Sequence, residues 1–203
     1  MIEVGSTVRR VVLLGAESTG TTTLTGQLAE HLGAPWTYEF LRDVCERKAE
    51  ENGGSFFDVR WRTEDFDLVA DGQDALEAAA LDAWDPSLAA GRPLQELAPL
   101  LVCDTDHLAT AAWHHRYVGG FPPRLLERAA ARPPLLYVLT SPEGVVFEQD
   151  GWRDGEHVRQ DMHGWFRTLL DDQPVPWLEV VGSPAERLDQ VLRGIEAQAF
   201  SLR

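Results

Sequence analysis

The segment GAESTGTTTL, from Gly15 to Leu24, has the residue types and spacing of a loop that binds phosphate. In the pattern G-x-x-x-x-G-K-[ST], Gly15 and Gly20 occupy the glycine positions and Thr22 the hydroxyl position, but Thr21 stands where the pattern has lysine. Such a loop turns backbone N–H groups toward phosphates, and the helix that follows adds partial positive charge. The alternative is a glycine-rich turn that binds nothing. The predicted phosphate-binding residues are Gly15, Glu17, Ser18, Thr19, Gly20, Thr21, Thr22 and Thr23.

Two carboxylates in LLVCDTD form the second candidate group. Asp104 ends an apolar run that reads as a buried strand, and Asp106 lies two residues further on. Carboxylates at this place hold Mg²⁺ directly or through water, so we predict Asp104 and Thr22 as metal ligands and both aspartates as catalytic residues. The alternative is that Asp104 or Thr105 caps the helix that begins near residue 107.

The segment YEFLRD supplies candidate acceptor-binding residues. Tyr38, Glu39, Arg42 and Asp43 follow the second predicted strand and face the same sheet edge as the loop. A carboxylate there could hold a sugar hydroxyl or take its proton, and an aromatic ring could stack on a planar base. An amphipathic helix start with a surface ion pair is the alternative interpretation.

Residues 141–160 are rich in glycine, charge and tryptophan and follow a predicted strand, as a small mobile lid would. Arg153 and Arg159 lie in this segment. Lid arginines stabilise charge on a transferring phosphoryl group, so we predict both as catalytic residues. A solvated loop is the alternative.

The elements that must position these groups alternate between strands and helices. Helix patterns separate the predicted strands, which cover residues 9–15, 35–40, 98–106, 133–140 and 175–182. This alternation predicts a three-layer α/β fold with a parallel sheet of about five strands. We expect one domain, residues 1–203, with its lid at about 141–160.

Composition limits the partners of the chain. The net charge is −15, which argues against binding to a nucleic-acid backbone. Apolar runs fall far short of the ~20 residues that span a bilayer, so we expect no membrane association. Two cysteines do not make a disulfide framework, and we expect a cytoplasmic protein. Composition does not decide whether the chain forms a homo-oligomer.

Together these segments resemble the nicotinamide riboside (ribosylnicotinamide) kinase domain of NadR-type proteins. GAESTG and the DTD after a strand carry the resemblance most specifically. YEFLRD, FDLVADGQ and QDGWRD also match, and all of these segments occur along the chain in the family's order. The resemblance implies a P-loop NTPase fold that uses ATP and Mg²⁺. It also implies transfer of the γ-phosphate to the ribose 5′-hydroxyl of nicotinamide riboside, a small nucleoside-like substrate.

Thr21 departs from the family pattern, which has lysine there to bridge the β- and γ-phosphates. Lys48 is the one lysine of the chain, so a compensating cation must be arginine. We expect Arg153 or Arg159 from the lid, or Arg42 from the acceptor side, to supply it. Two alternatives stay open: a nucleotide-binding regulator without catalytic activity, and a kinase or ATPase that acts on another nucleoside-like substrate.

Overall fold

A five-stranded parallel sheet forms the centre of the chain, in the order β2-β3-β1-β4-β5. The computed structural model describes residues 8–54, 59–148 and 156–201. The strands are β1 (Arg9–Gly15), β2 (Trp36–Thr37), β3 (Leu100–Asp104), β4 (Leu136–Thr140) and β5 (Trp177–Val180). The α-helices are α1 (Thr21–Leu32), α2 (Leu41–Glu51), α3 (Thr63–Ala83), α4 (His107–Tyr117), α5 (Pro123–Ala131), α6 (Glu156–Asp171) and α7 (Pro184–Ser201).

Helices cover both faces of the sheet, because the strands carry apolar side chains on both sides. On one face α1 and α7 pack against alternate residues of β1 such as Val11 and Leu13. The opposite face, with Val12 and Leu14, packs against α2 to α6. The predicted three-layer α/β fold with about five parallel strands is therefore confirmed. None of the described helices is both long and apolar enough to cross a membrane.

The second strand is shorter than the segment 35–40 that the sequence favoured. A side chain of α3 takes over the hydrogen bonds that would have extended it. Gln73 Nε2 donates to Tyr38 O at 3.1 Å, and Gln73 Oε1 accepts from Phe40 N at 3.0 Å. The chain therefore leaves the sheet after Thr37 and directs Glu39 toward the carboxyl ends of the strands.

The segment predicted as a lid is only partly within the described residues. Residues 141–148 follow β4, and α6 already begins at Glu156, inside the predicted range. Arg153 lies outside the described residues, whereas Arg159 lies in the first turns of α6. The division of the chain into a core and a lid stays a prediction.

Candidate active site

The turn between β1 and α1 has the backbone shape of an anion-binding loop. Ser18 and Gly20 have φ angles of 60° and 83°, so left-handed residues alternate along the turn. This alternation directs successive N–H groups to one side. A methyl group on Gly15 would clash with the hydroxyl oxygens of Thr19, Thr21 and Thr140, so only glycine fits there.

Thr21 joins a cluster of three threonine hydroxyls behind the loop. Its Oγ1 lies 2.9 Å from Thr140 Oγ1 and 3.2 Å from Thr19 Oγ1. Thr19 Oγ1 and Thr140 Oγ1 are 2.7 Å apart, and the Thr19 hydroxyl donates to Ala16 O. Thr21 therefore fixes the loop to the end of β4 through neutral contacts and brings no charge.

Thr22 and Asp104 meet at the carboxyl ends of β1 and β3. The Thr22 hydroxyl donates to Asp104 Oδ2 at 2.6 Å, and Asp104 is 2 % exposed. Burial raises the pKa of Asp104 to about 6, against the opposing effects of the Thr22 hydrogen bond and Arg42. A hydroxyl and a carboxylate are oxygen donors of the kind that Mg²⁺ takes together with substrate phosphates. Within the described residues no group of three or more His, Cys, Asp or Glu could hold a metal by itself. The donors therefore fit a magnesium ion that is shared with a bound nucleotide.

Asp106 does not reach this site. Its Oδ1 accepts from Leu108 N at 2.8 Å and its Oδ2 accepts from Tyr137 OH at 2.9 Å. Asp106 is also absent from the residues that line the cavity. The catalytic role predicted for Asp106 is therefore corrected to capping of α4, a role that the sequence had offered to Asp104 or Thr105.

Of the four residues predicted to bind the acceptor, Glu39 and Arg42 line the cavity. Arg42 Nε lies 3.7 Å from Glu39 Oε2, and the Trp113 side chain donates a hydrogen bond to Glu39. Burial and the nearby Asp104 raise the pKa of Glu39 to about 7. Tyr38 and Asp43 pair with each other outside the cavity, because Tyr38 OH donates to Asp43 Oδ2 at 2.8 Å.

An aromatic wall that the sequence did not predict adjoins Glu39 in the cavity. Trp113 and Tyr117 both line the cavity and stack at 6.0 Å with an interplanar angle of 15°. Trp61 also stacks on Tyr117, with ring centroids 5.3 Å apart. The four-residue spacing of Trp113 and Tyr117 on one helix was the signal that could have identified this wall.

Two arginines lie behind the phosphate-binding loop. Arg159 Nη2 donates to Ser18 O at 2.8 Å, and Arg187 Nη1 donates to Thr19 O at 2.7 Å. Both side chains are buried, and neither lines the cavity. Arg187 was not predicted, because its position at the start of α7 brings it to the loop only through the tertiary fold.

The loop, the Thr22–Asp104 pair and the aromatic wall open into one cavity of about 470 Å³. This volume lies in the range of small-molecule sites. Among the described lining residues Arg42 is the one basic side chain. The acidic lining residues are Glu17, Glu39, Glu46, Asp104 and Glu148. The cavity therefore presents an excess of negative charge around its aromatic wall.

Comparisons with known proteins agree with this fold. Residues 10–187 match the model of the AAA domain family. A comparison with curated protein sequences gives no match.

Several solved structures share the fold at low identity. A NadR protein in complex with NR has a TM-score of 0.62 and 18 % identity over 94 % of this chain. A NadR structure with NAD and AMP-PNP has a TM-score of 0.61. This chain spans about half, 49 %, of the length of those NadR chains. Thymidylate kinase from Candida albicans has a TM-score of 0.59, with 13 % identity over 95 % of this chain and 92 % of that one. The resemblance to NadR-type proteins is thereby confirmed for the fold.

Proposed function

The chain belongs to the AAA domain family, and we propose that it is an ATP-dependent kinase of a small nucleoside-like acceptor, nicotinamide riboside. The reaction would transfer the γ-phosphoryl group of ATP to the ribose 5′-hydroxyl and give nicotinamide mononucleotide and ADP. The observation that carries the proposal is the joining, in one cavity, of the phosphate-binding loop, the Thr22–Asp104 pair and the partly buried carboxylate of Glu39 beside aromatic rings.

The loop residues from Gly15 to Thr23 would bind the phosphates of ATP through their backbone N–H groups. Asp104 and Thr22 would hold Mg²⁺, which when bound neutralises charge on the β- and γ-phosphates. This assignment rests on the 2.6 Å contact between the two side chains.

Glu39 would be the general base. A carboxylate with a pKa of about 7 is half ionised near neutral pH, where a base that takes a hydroxyl proton works best. The acceptor oxygen would form its bond to phosphorus as the bond from phosphorus to the β-phosphate oxygen breaks. The hydroxyl proton would pass to Glu39, and Arg42 would hold the Glu39 carboxylate in place.

The charge of the cavity supports a cationic acceptor over an anionic one. Nicotinamide riboside carries a pyridinium ring, and cations bind well over aromatic faces beside carboxylates. Trp113 and Tyr117 supply the faces, and Glu39 and Glu46 supply the charge. A nucleoside monophosphate, the acceptor type of thymidylate kinase, would instead bring negative charge to these carboxylates.

Two other functions have support of their own. The neutral hydroxyl cluster around Thr21 favours a nucleotide-binding regulator that does not transfer phosphate. The similarity of the fold to thymidylate kinase favours a kinase of another nucleoside or nucleotide.

Titration with ATP and Mg²⁺ separates the three functions when ADP release is measured with and without nicotinamide riboside. The proposal expects ADP release that depends on nicotinamide riboside and yields nicotinamide mononucleotide. Nucleotide binding without ADP release would favour the regulator. Release that responds only to another acceptor, such as thymidine or its monophosphate, would favour the third function.

A further inference from the structure

Arg187 is a buried cation for which the described residues provide no carboxylate partner. Within the described residues its guanidinium donates to three backbone carbonyls: Nη1 to Thr19 O at 2.7 Å, Nη2 to Ser141 O at 2.9 Å and Nε to Gly182 O at 2.9 Å. Burial and the neighbouring positive charge of Arg159 lower its pKa, yet a guanidinium remains charged at neutral pH. A buried charge without a counter-charge is unfavourable, so this arrangement favours the arrival of an anion nearby.

Arg159 also donates to a carbonyl of the loop, one residue earlier. Its Nη2 donates to Ser18 O at 2.8 Å and its Nη1 to Val145 O at 2.9 Å. The two guanidinium groups, from α6 and α7, therefore hold two consecutive carbonyls of the loop from behind.

These two carbonyls belong to the peptide units that carry the N–H groups of Thr19 and Gly20. A charged donor on a carbonyl polarises the whole peptide unit, so the N–H at its other end becomes a stronger donor. The loop turns those N–H groups toward the phosphate side, as its alternating left-handed residues require. Positive charge can thus reach the phosphates through the backbone, without a side chain in the cavity.

We propose that Arg187 and Arg159 supply from behind the loop the positive charge that Thr21 does not supply from within it. The inference rests on the proposed function in one respect, that the ligand of the loop is the phosphate chain of ATP. Both arginines are positioning residues, since they act on phosphate through the Ser18 and Thr19 peptide units. This differs from the expectation that a lid arginine swings into the cavity.

The test measures the affinity for Mg·ATP by calorimetry in variants that lack one charge. We expect Arg187→Gln to weaken binding by about 10- to 100-fold, as loss of a charge-assisted contact does. Arg159→Gln should act in the same direction. Arg193→Gln is the matched control, because Arg193 lies on α7 but is exposed and pairs with Asp189; its affinity should stay unchanged.

Rescue by a second substitution separates a charge effect from loss of loop structure. Adding Thr21→Lys to the Arg187→Gln variant should raise its affinity for Mg·ATP by at least about tenfold. Thr21→Lys alone should raise the affinity of the otherwise unchanged chain by less than about tenfold. Circular dichroism and thermal unfolding report whether each variant folds. If Arg187→Gln does not fold, the same rescue is measured in Arg159→Gln.

Three results would overturn the inference. They are unchanged Mg·ATP affinity in both arginine variants, loss of affinity that Thr21→Lys does not restore, and a gain of several orders of magnitude from Thr21→Lys alone. A chain of unaltered sequence that does not bind Mg·ATP would instead overturn the proposed function, and the inference with it.

Discussion

Two groups of buried carboxylates in this molecule differ in what surrounds them. On α3, Glu77 is 1 % exposed and accepts from two arginines, Arg10 at 2.7 Å and Arg132 at 2.6 Å. In the cavity, Asp104 is buried and the nearby Glu39 is partly buried, and Arg42 approaches Glu39 only to 3.7 Å.

The pKa values record this difference. Asp74, which lies on α3 one turn before Glu77, has a pKa below its usual value because Arg128, His107 and Arg132 outweigh its burial. The cavity carboxylates Asp104 and Glu39 have raised pKa values because burial dominates. Carboxylates that pair closely with arginines hold helices together, whereas carboxylates without a cation at hydrogen-bond distance are available to a ligand.

The largest expected effect is on kcat, and it comes from a substitution among the cavity carboxylates. Glu39→Gln should lower kcat by about 10² to 10⁴, because it removes the general base. Affinity for Mg·ATP should remain, and the free chain should become more stable at neutral pH. Steady-state kinetics with calorimetry measures this. The control is Glu50→Gln, because Glu50 is exposed on α2 and does not line the cavity, so its kcat should change by less than about tenfold. Equal kcat in Glu39→Gln and the unchanged chain would remove Glu39 from catalysis.

A substitution among the carboxylates that pair with arginines should instead lower stability and leave kcat unchanged. Glu77→Gln leaves Arg10 buried without a counter-charge and should lower the free energy of unfolding by about 3 to 5 kcal/mol. The folded fraction should keep its kcat. Urea denaturation measures the change, with the exposed Glu127→Gln on α5 as the control. A loss below about 1 kcal/mol would show that the pairing matters no more than a surface ion pair.

A neutral substitution in the cavity sharpens the comparison, since it tests binding apart from charge. Tyr117→Leu should raise KM for the acceptor by about tenfold, because stacking of a base on an aromatic ring contributes about 1 to 3 kcal/mol. The value of kcat should change little. Kinetics with Phe200→Leu, at an exposed position on α7, provides the control. An unchanged KM would place the acceptor base elsewhere in the cavity.

The smallest effect is in the pH dependence of stability. Because their folded pKa values are raised, Asp104 and Glu39 make the folded state bind more protons than the unfolded state. Their contribution is therefore fully present below about pH 4 and is lost as pH rises to about 6 for Asp104 and about 7 for Glu39.

The variant Asp104→Asn removes one of these two groups. It should gain about 1 to 2 kcal/mol over the unchanged chain as pH rises through this interval. Thermal unfolding of both proteins in matched buffers without Mg²⁺ measures the difference. Parallel stability curves would contradict the assignment of Asp104 as a carboxylate whose pKa is raised by burial.

The parts of the molecule that could be predicted are those set by local patterns. Gly15, Gly20 and Thr22 predicted the loop, and the apolar run before Asp104 predicted the strand that carries it. Leu24, Leu28 and Leu32 at helical spacing predicted α1 and its buried face. Each of these signals lies within a few residues of the feature it indicates.

The missed residues depend on contacts between distant segments. Arg187 lies 168 residues from Thr19, and nothing in the sequence around it distinguishes it from the surface Arg193. Asp106 looked equivalent to Asp104, but the turn at Thr105, with a φ of 80°, directs it to Leu108 and Tyr137 instead. The length of β2 depends on Gln73, which lies on α3 and is distant from β2 in the sequence.

The place of Arg187 in the chain also has a consequence for synthesis on the ribosome. The loop emerges first, with β1, while its neighbours β3 and β4 and then α6 and α7 follow much later. A nascent chain would therefore hold this turn without Arg159 until α6 has left the exit tunnel, and without Arg187 until α7 has left it. Nucleotide could then stabilise only a chain that already includes α7, so an early fragment with the complete loop sequence should gain no protection from ATP.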